Sequence, residues 1–374
     1  MDIDQPLTLL GGLTPAQFMK RHWHKKPLLV RQAIPGFKPC VGRSDLVALA
    51  AQEDVESRLI VRNAQGWKMK RGPLPRRSLP PFSQKNWTFL VQGVDLHHEG
   101  VHQLMQQFRF VPDARLDDLM ISYATDGAGV GPHFDSYDVF LLQAHGQRRW
   151  RIGRQKDLSL QAGVPLKILE NFEPEQEWVL EPGDMLYLPP KYAHDGIAVG
   201  ECMTWSIGFR SPGEGELARE LLQGLADEAL DRVGEVVYRD PQQAAVSAPG
   251  AIPEALLDFA RTALRKAQDD PDLLALLLGE YLTEPKPQVW FEADPAARWP
   301  AGQGVALDRR SRMMYDQRHI FINGEGFVAG GRDARVLRSL ADQRCISAQA
   351  VASLSEAARQ ALQEWLANGW LHVA

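Results

Sequence analysis

The sequence predicts a mainly β core of barrel or jelly-roll type, followed by a helical region and a small C-terminal α/β module. Three observations carry that reading. Short strand-like runs recur between residues 111 and 210 with Gly/Pro turn signals between them, the pattern of a curled antiparallel sheet. Leucine stripes at helical spacing fill residues 211–285, and prolines open two of those segments. An Asn-Gly hairpin signal followed by further helix patterns fills residues 286–374. At 374 residues, with 44% hydrophobic and 24% charged side chains, the chain is too long for one small core and has a globular composition. Disordered and fibrous classes are excluded.

The elements follow in order. Residues 1–110 mix short helices and strands and support the core. Thr14-Pro15 reads as an N-cap with proline at the first helical position, so Pro15 to about His22 is a helix. Pro27-Leu28-Leu29-Val30 reads as a buried strand, and Gly72 to Phe82, with four prolines, as an extended loop. In the core, strands are expected at Leu119–Tyr123, Asp138–Gln143, Arg149–Ile152, Trp178–Leu180, Met185–Leu188 and Met203–Phe209. Asp126-Gly127, Pro132, His145-Gly146, Pro182-Gly183-Asp184 and Val199-Gly200 are the expected turns. Gly215–Glu228, Pro253–Ala267 and Pro271–Leu282 read as amphipathic helices. Beyond the Pro285/Pro287 linker, His319–Ile322 and Gly326–Ala329 flank Asn323-Gly324 as a hairpin. Helices at Ala334–Asp342, Ser347–Leu354 and Glu356–Ala367 and a strand at Trp370–Val373 complete a winged-helix-like module. It lacks a basic recognition helix, so a protein-contact role is expected rather than direct DNA binding.

The net charge of −5 conceals an asymmetry. Residues 1–110 carry 16 basic and 8 acidic side chains, whereas residues 211–285 carry 6 basic and 15 acidic. A uniformly basic nucleic-acid binder is excluded, and the acidic region suits either a solvated helical surface or attraction of a basic partner. No run has the ~18 uncharged apolar residues of a membrane span. The start, Met1-Asp2-Ile3-Asp4, is unlike a signal peptide. Three scattered cysteines, Cys40, Cys202 and Cys345, form neither a disulfide framework nor a zinc spacing, and a cytoplasmic location is expected.

The chemistry concentrates in Gly129-Val130-Gly131-Pro132-His133-Phe134-Asp135. If extended, His133 and Asp135 point to one face. His194, presented by a turn, a strand and the Pro189-Pro190 loop, is the best third ligand. Two histidines and one carboxylate leave metal positions open, as in non-haem Fe(II) oxygenases. His145, at an apparent hairpin tip, competes as a ligand but reads better as an exposed turn residue. His97 and His98 point to opposite faces and cannot both serve. An iron of this kind needs electrons, commonly from 2-oxoglutarate, whose distal carboxylate needs a cation. In Gln147-Arg148-Arg149-Trp150, Arg148 and Trp150 share a face and Arg149 takes the other. A buried arginine here can hold a carboxylate through two parallel hydrogen bonds; two exposed strand arginines are the alternative. Ser122 or Thr125 offers an adjacent hydroxyl.

Several of these segments together resemble the JmjC/cupin ribosomal oxygenases. They are Gly131 through Phe140, Gly146-Gln147-Arg148-Arg149-Trp150, Pro182-Gly183-Asp184 through His194, and Ser206-Ile207-Gly208-Phe209-Arg210. With His22-Trp23-His24-Lys25-Lys26-Pro27-Leu28, the resemblance narrows to the bacterial branch acting on an arginine of large-subunit ribosomal protein sixteen. It implies a double-stranded β-helix catalytic domain over residues 1–210 with its core at 111–210. It also implies a helical dimerisation region at 211–285 and a winged-helix domain at 286–374. It implies Fe(II) on His133, Asp135 and His194, 2-oxoglutarate on Arg148 with Ser122, O2 as second co-substrate, and a homodimer. The implied reaction is hydroxylation of an arginine β-carbon in a basic ribosomal protein. Tyr137, Asp138 and Asp126 are candidates for holding that arginine. The alternatives are a JmjC histidyl hydroxylase or demethylase with the same triad, or a non-enzymatic cupin-type binding protein.

Overall fold

The computed structural model describes residues 2–300 and 302–374. It divides into two compact units, one running to Ser211 and the other starting at Pro212.

The first unit begins with α1 (Pro15–Arg21). Thr14 and Gln17 cap it reciprocally, and Pro15 takes the position where no N–H is needed. β1 (Leu28–Val30), α2 (Arg43–Ala50), β2 (Ser57–Asn63), β3 (Gly66–Arg71), β4 (Trp87–Val91) and α3 (Glu99–Gln106) follow. Then come β5 (Leu116–Ala124), β6 (Val139–Gly153), β7 (Gln176–Leu180), β8 (Met185–Leu188) and β9 (Ala193–Phe209). These strands form one antiparallel sheet in the order β1-β8-β6-β9-β5-β4-β2-β3, with β7 also on β6. The curled sheet is the predicted double-stranded β-helix, or jelly roll. Its interior is dominated by aromatic rings: Phe140 packs 5.3 Å from Phe18 and 4.9 Å from both Phe108 and Tyr187.

One expectation is corrected. His145-Gly146 and Val199-Gly200 are not turns; each lies within a single long strand, β6 and β9 respectively. Register shifts at Gln143/His145 and His145/Gln147 mark β-bulges where the paired strands bend together. Gly146 sits at φ +61°, and a Cβ there would lie 2.0 Å from the Glu201 carbonyl oxygen. The glycine therefore produces a bend where a chain reversal was expected. The bend splits the work of β6: Val139–Leu142 pair with β8, and Arg148–Ile152 pair with β7.

The second unit opens with α4 (Glu214–Val233), α5 (Glu254–Gln268) and α6 (Pro271–Thr283). Asp270 caps α6 by accepting from the N–H groups of Asp272 and Leu273. β10 (Val305–Leu307), β11 (Met313–Tyr315), β12 (His319–Ile322), β13 (Glu325–Val328) and α7 (Gly331–Gln343) lead to β14 (Cys345–Ile346), α8 (Ala348–Ala352), α9 (Glu356–Ala367) and β15 (Leu371–Val373). Asn323 and Gly324 both have positive φ, at 50° and 90°, as a two-residue hairpin turn requires. This unit has its own core, in which Leu340, Leu362 and Trp365 are almost fully buried. No described helix is long and apolar enough to cross a membrane.

Candidate metal centre

The metal loop between β5 and β6 runs antiparallel beside the start of β9. Two hydrogen bonds join His133 and His194 directly: His133 N–H to His194 O at 3.0 Å and His194 N–H to His133 O at 2.8 Å. The His-x-Asp segment is thus an isolated bridge against β9, not a regular strand. The pairing brings the two imidazole centres to 4.3 Å, with the rings tilted by 57°. Asp135 Oδ2 lies 3.7 Å from His194 Nε2. Potential ligand atoms of His133, Asp135 and His194 all fall within 4.8 Å of one another.

Backbone carbonyls orient both rings. His133 Nδ1 lies 2.9 Å from Gly131 O, and His194 Nδ1 lies 3.1 Å from Tyr192 O. If each Nδ1 carries the proton, each Nε2 lone pair remains free for a cation, the usual outer-shell arrangement of metal-binding histidines. Burial and the neighbouring His133 hold the His194 pKa down at about 4, so its ring is neutral at physiological pH. Glycine is required at position 131, where φ is +80° and a Cβ would press on Ile168 and Trp67 at 3.1 Å.

Trp150 and Arg148 extend the site along β6. The Trp150 ring lies 5.8 Å from His194, and the Arg148 guanidinium sits 5.7 Å from the Trp150 ring centre. Gly196 makes room for the indole, since a Cβ there would meet the ring at 2.7 Å. Arg148 is only 6% exposed. Its Nη1 reaches Ser122 Oγ at 3.4 Å, while Nε and Nη2 have no protein partner. A buried guanidinium with two unpartnered N–H groups is costly by itself and matches an incoming carboxylate. The donor set therefore fits both a divalent cation and a 2-oxo dicarboxylate.

The other candidates separate. Thr125 is committed to the backbone, its hydroxyl donating to Trp87 O at 3.1 Å. His145 is exposed at the bulge, about 20 Å of strand from Ile152, which pairs with His194. His98 caps α3 by accepting from Gly100 N–H. Tyr137 stands beside the centre: burial, then the Asp135 and Asp118 carboxylates, push its hydroxyl pKa up and keep it a proton donor.

Two expectations are corrected. Asp138 is fully buried and holds the N-terminal segment to the barrel. It accepts from Tyr187 Oη at 2.5 Å and faces His24 Nε2 at 2.9 Å, leaving no edge for a bound chain. Asp126 accepts from Gly200 N–H at 3.0 Å and pairs with Lys85 at 2.8 Å. Gly200 is six residues along β9 from His194, about 20 Å of strand away, so Asp126 ties the start of the β5–β6 connection to β9 far from the ligands. Trp150 and Asp118 stand near these groups outside the expected set. Trp150 was legible, since it shares a strand face with Arg148. Asp118 carries no local motif.

A double-stranded β-helix bearing a His-Asp-His cluster is the arrangement of cupin-fold oxygenases with a facial metal triad. The JmjC-domain profile matches residues 103–217, and that of the ROXA-like winged helix matches residues 265–372. The ribosomal protein uL16 3-hydroxylase of Escherichia coli is 36% identical over 269 residues, covering 71% of this chain and 70% of that protein. A probable ribosomal oxygenase of Haemophilus influenzae is 35% identical over 224 residues, covering 59% of this chain and 55% of that protein. The X-ray structure of E. coli ycfD superposes with a TM-score of 0.83 at 30% identity, covering 97% of this chain and 98% of that one. YcfD in complex with cobalt and 2-oxoglutarate gives a TM-score of 0.78 at 29% identity, covering 96% and 98%. This chain belongs to the ribosomal oxygenase family of JmjC proteins.

Proposed function

We propose that this chain is an Fe(II)- and 2-oxoglutarate-dependent hydroxylase of an arginine β-carbon in large-subunit ribosomal protein uL16. The carrying observation is the His133–Asp135–His194 cluster beside the unpartnered, buried Arg148. His133, Asp135 and His194 would hold the iron, and Arg148 with Ser122 would hold the distal carboxylate of 2-oxoglutarate. Together iron and 2-oxoglutarate supply the oxidising chemistry: with O2, 2-oxoglutarate becomes succinate and CO2, and one oxygen atom enters a substrate C–H bond. The chain's own groups place these partners. The Nδ1 contacts aim both imidazoles, and Trp150 walls the co-substrate from water. Tyr137 and the carboxylates beside it make an electronegative surface suited to an arginine side chain.

A basic substrate also matches the exposed carboxylates of the acidic region 211–285, which would steer it by long-range attraction. Homodimerisation through that region is supported by apolar side chains left open on α4 and α5: Leu222 is 56% exposed, Leu256 38% and Leu264 64%. Three free cysteines fit work in a reducing cytoplasm.

The test is incubation with Fe(II), 2-oxoglutarate and uL16 fragments, followed by fragment mass spectrometry. One oxygen added to an arginine supports the proposal, and addition to a histidine would shift it to the histidyl-hydroxylase reading. Absence of succinate with every basic fragment would refute it. His133→Ala and His194→Ala should abolish turnover and lower bound metal while the chain stays folded.

A further inference from the structure

We infer that the β2–β3 hairpin and the loop after it form a surface for the phosphate backbone of RNA, beside the metal loop. Residues 57–85 contain eight Lys and Arg side chains and no Asp or Glu. This segment alone accounts for the positive balance of the N-terminal region. Of the eight, Arg62, Lys68, Lys70, Arg71, Arg76 and Arg77 are exposed and have no ion-pair partner among the described residues. Arg58 reaches Glu56 only at 3.8 Å, and Lys85 pairs with Asp126.

Register decides what these cations are for. Lys68 and Lys70 stand opposite Val61 and Leu59, on the core-side face of edge strand β3. Charges placed there guard an open sheet edge against pairing with another strand. That explanation does not reach Arg62 and Arg71, which share the opposite face with Trp67 and Met69, nor Arg76 and Arg77 in the loop. Arg62 lies over the Trp67 ring at 5.3 Å, and Arg76 over Phe82 at 4.3 Å, so aromatic rings hold two of the guanidinium groups in place. Same-face residues two apart on a strand are separated by about 7 Å, comparable to successive phosphates of a nucleic-acid strand. Half-exposed Trp67 adds a face on which a base can stack.

The surface also adjoins the candidate centre. The Trp67 ring borders the space beside Gly131, two residues before His133. A basic polypeptide is repelled here and an anionic strand is attracted. RNA carried by the partner would thus be held next to the metal loop. The RNA surface itself does not depend on the hydroxylase assignment, because binding is measured without turnover.

The experiment is fluorescence anisotropy of the full chain with a labelled 20-nucleotide single-stranded RNA of mixed sequence, at 50 to 200 mM KCl. Four phosphate contacts, from Arg62, Arg71, Arg76 and Arg77, at about 0.7 each give a log–log salt slope near −3, roughly a 50-fold loss of affinity across that range. Replacing Arg62, Arg71 and Arg77 together by alanine should cut the slope to about −0.7. The charge-keeping set Arg62→Lys, Arg71→Lys and Arg77→Lys should keep the wild-type slope. The inference fails if wild type shows no salt-dependent RNA binding, or if the alanine variant keeps the wild-type slope. It also fails if polyglutamate of equal charge competes as well as RNA. Sedimentation covers the remaining occupant: loss of a salt-sensitive oligomer in the alanine variant would assign the patch to the acidic helices of a second copy and overturn the RNA reading.

Discussion

Replacing Arg148 by methionine should have two effects of opposite sign. The guanidinium is buried, touches Ser122 at 3.4 Å and leaves Nε and Nη2 unpartnered. In the ligand-free chain it is a desolvated charge with little compensation. A methionine of similar length should leave stability unchanged or raise it by about 1 kcal/mol or more. With 2-oxoglutarate bound, the same two N–H groups would donate charge-assisted hydrogen bonds worth about 1.5–3 kcal/mol each. Losing both costs about 3 kcal/mol at the low end, or roughly 150-fold in affinity. Calorimetric titration of 2-oxoglutarate into the Mn(II)-loaded chain measures the second effect. Thermal unfolding with and without 2-oxoglutarate measures both: the variant should start at an equal or higher Tm and lose the ligand-induced rise. A dissociation constant within threefold of wild type, or a ligand-free Tm several degrees lower, would refute the assignment of Arg148 as the carboxylate partner.

Three further outcomes follow from the geometry. Asp138→Ala should cost about 2 kcal/mol in urea unfolding, because it strands Tyr187, His24 and Arg115, the latter two already partly screened by solvent. Metal affinity should be unchanged, and full stability with lost turnover would instead return Asp138 to the substrate surface. Gly146→Ala should cost about 3 kcal/mol or more, since alanine at φ +61° is strained and its Cβ meets Glu201 O; a loss below 1 kcal/mol by the same assay would show that the bulge can relax. Asp308 opposes burial with hydrogen bonds from Arg310 and His372, which hold its pKa down at about 2, below the value of an unfolded chain. Its contribution of about 2 kcal/mol is therefore complete above pH ~4 and lost as pH falls towards 2. The stability gap between wild type and Asp308→Asn should shrink between pH 7 and pH 2.5, and an equal gap at both would contradict the shift.

The legible parts of the molecule were those whose signal is local. Thr14-Pro15, Asn323-Gly324 and the leucine periods of α4 to α6 each fix backbone conformation within a few residues, and the structure has a helix or hairpin at each. Met185–Leu188 was also readable, as a four-residue apolar run between a Pro-Gly-Asp turn and a double proline. The hairpin expected at His145-Gly146 was not correct. Glycine at positive φ serves a tight turn and a bulge equally well, and only the partner strand decides between them. Ala193–Gly200 was missed as strand because the turn signal at Val199-Gly200 interrupted it; Gly200 lies inside β9 at φ +72°.

The same division applies to the candidate site. His133 and Asp135, two residues apart, were a pair in the sequence, because spacing alone can bring two side chains to one side of a short segment. Arg148 and Trp150 were a pair for the same reason. The sequence alone thus determined which residue types were available and which neighbours could act together. It did not determine that His133 and His194, 61 positions apart, form a doubly hydrogen-bonded pair, nor that Trp150 stands between that pair and Arg148. It also left Asp138 and Asp126 indistinguishable from substrate-facing acids. Those outcomes belong to the tertiary structure. A side chain's availability depends on which groups the folded sheet sets against it, and in a curled antiparallel sheet those groups come from strands far apart in the chain.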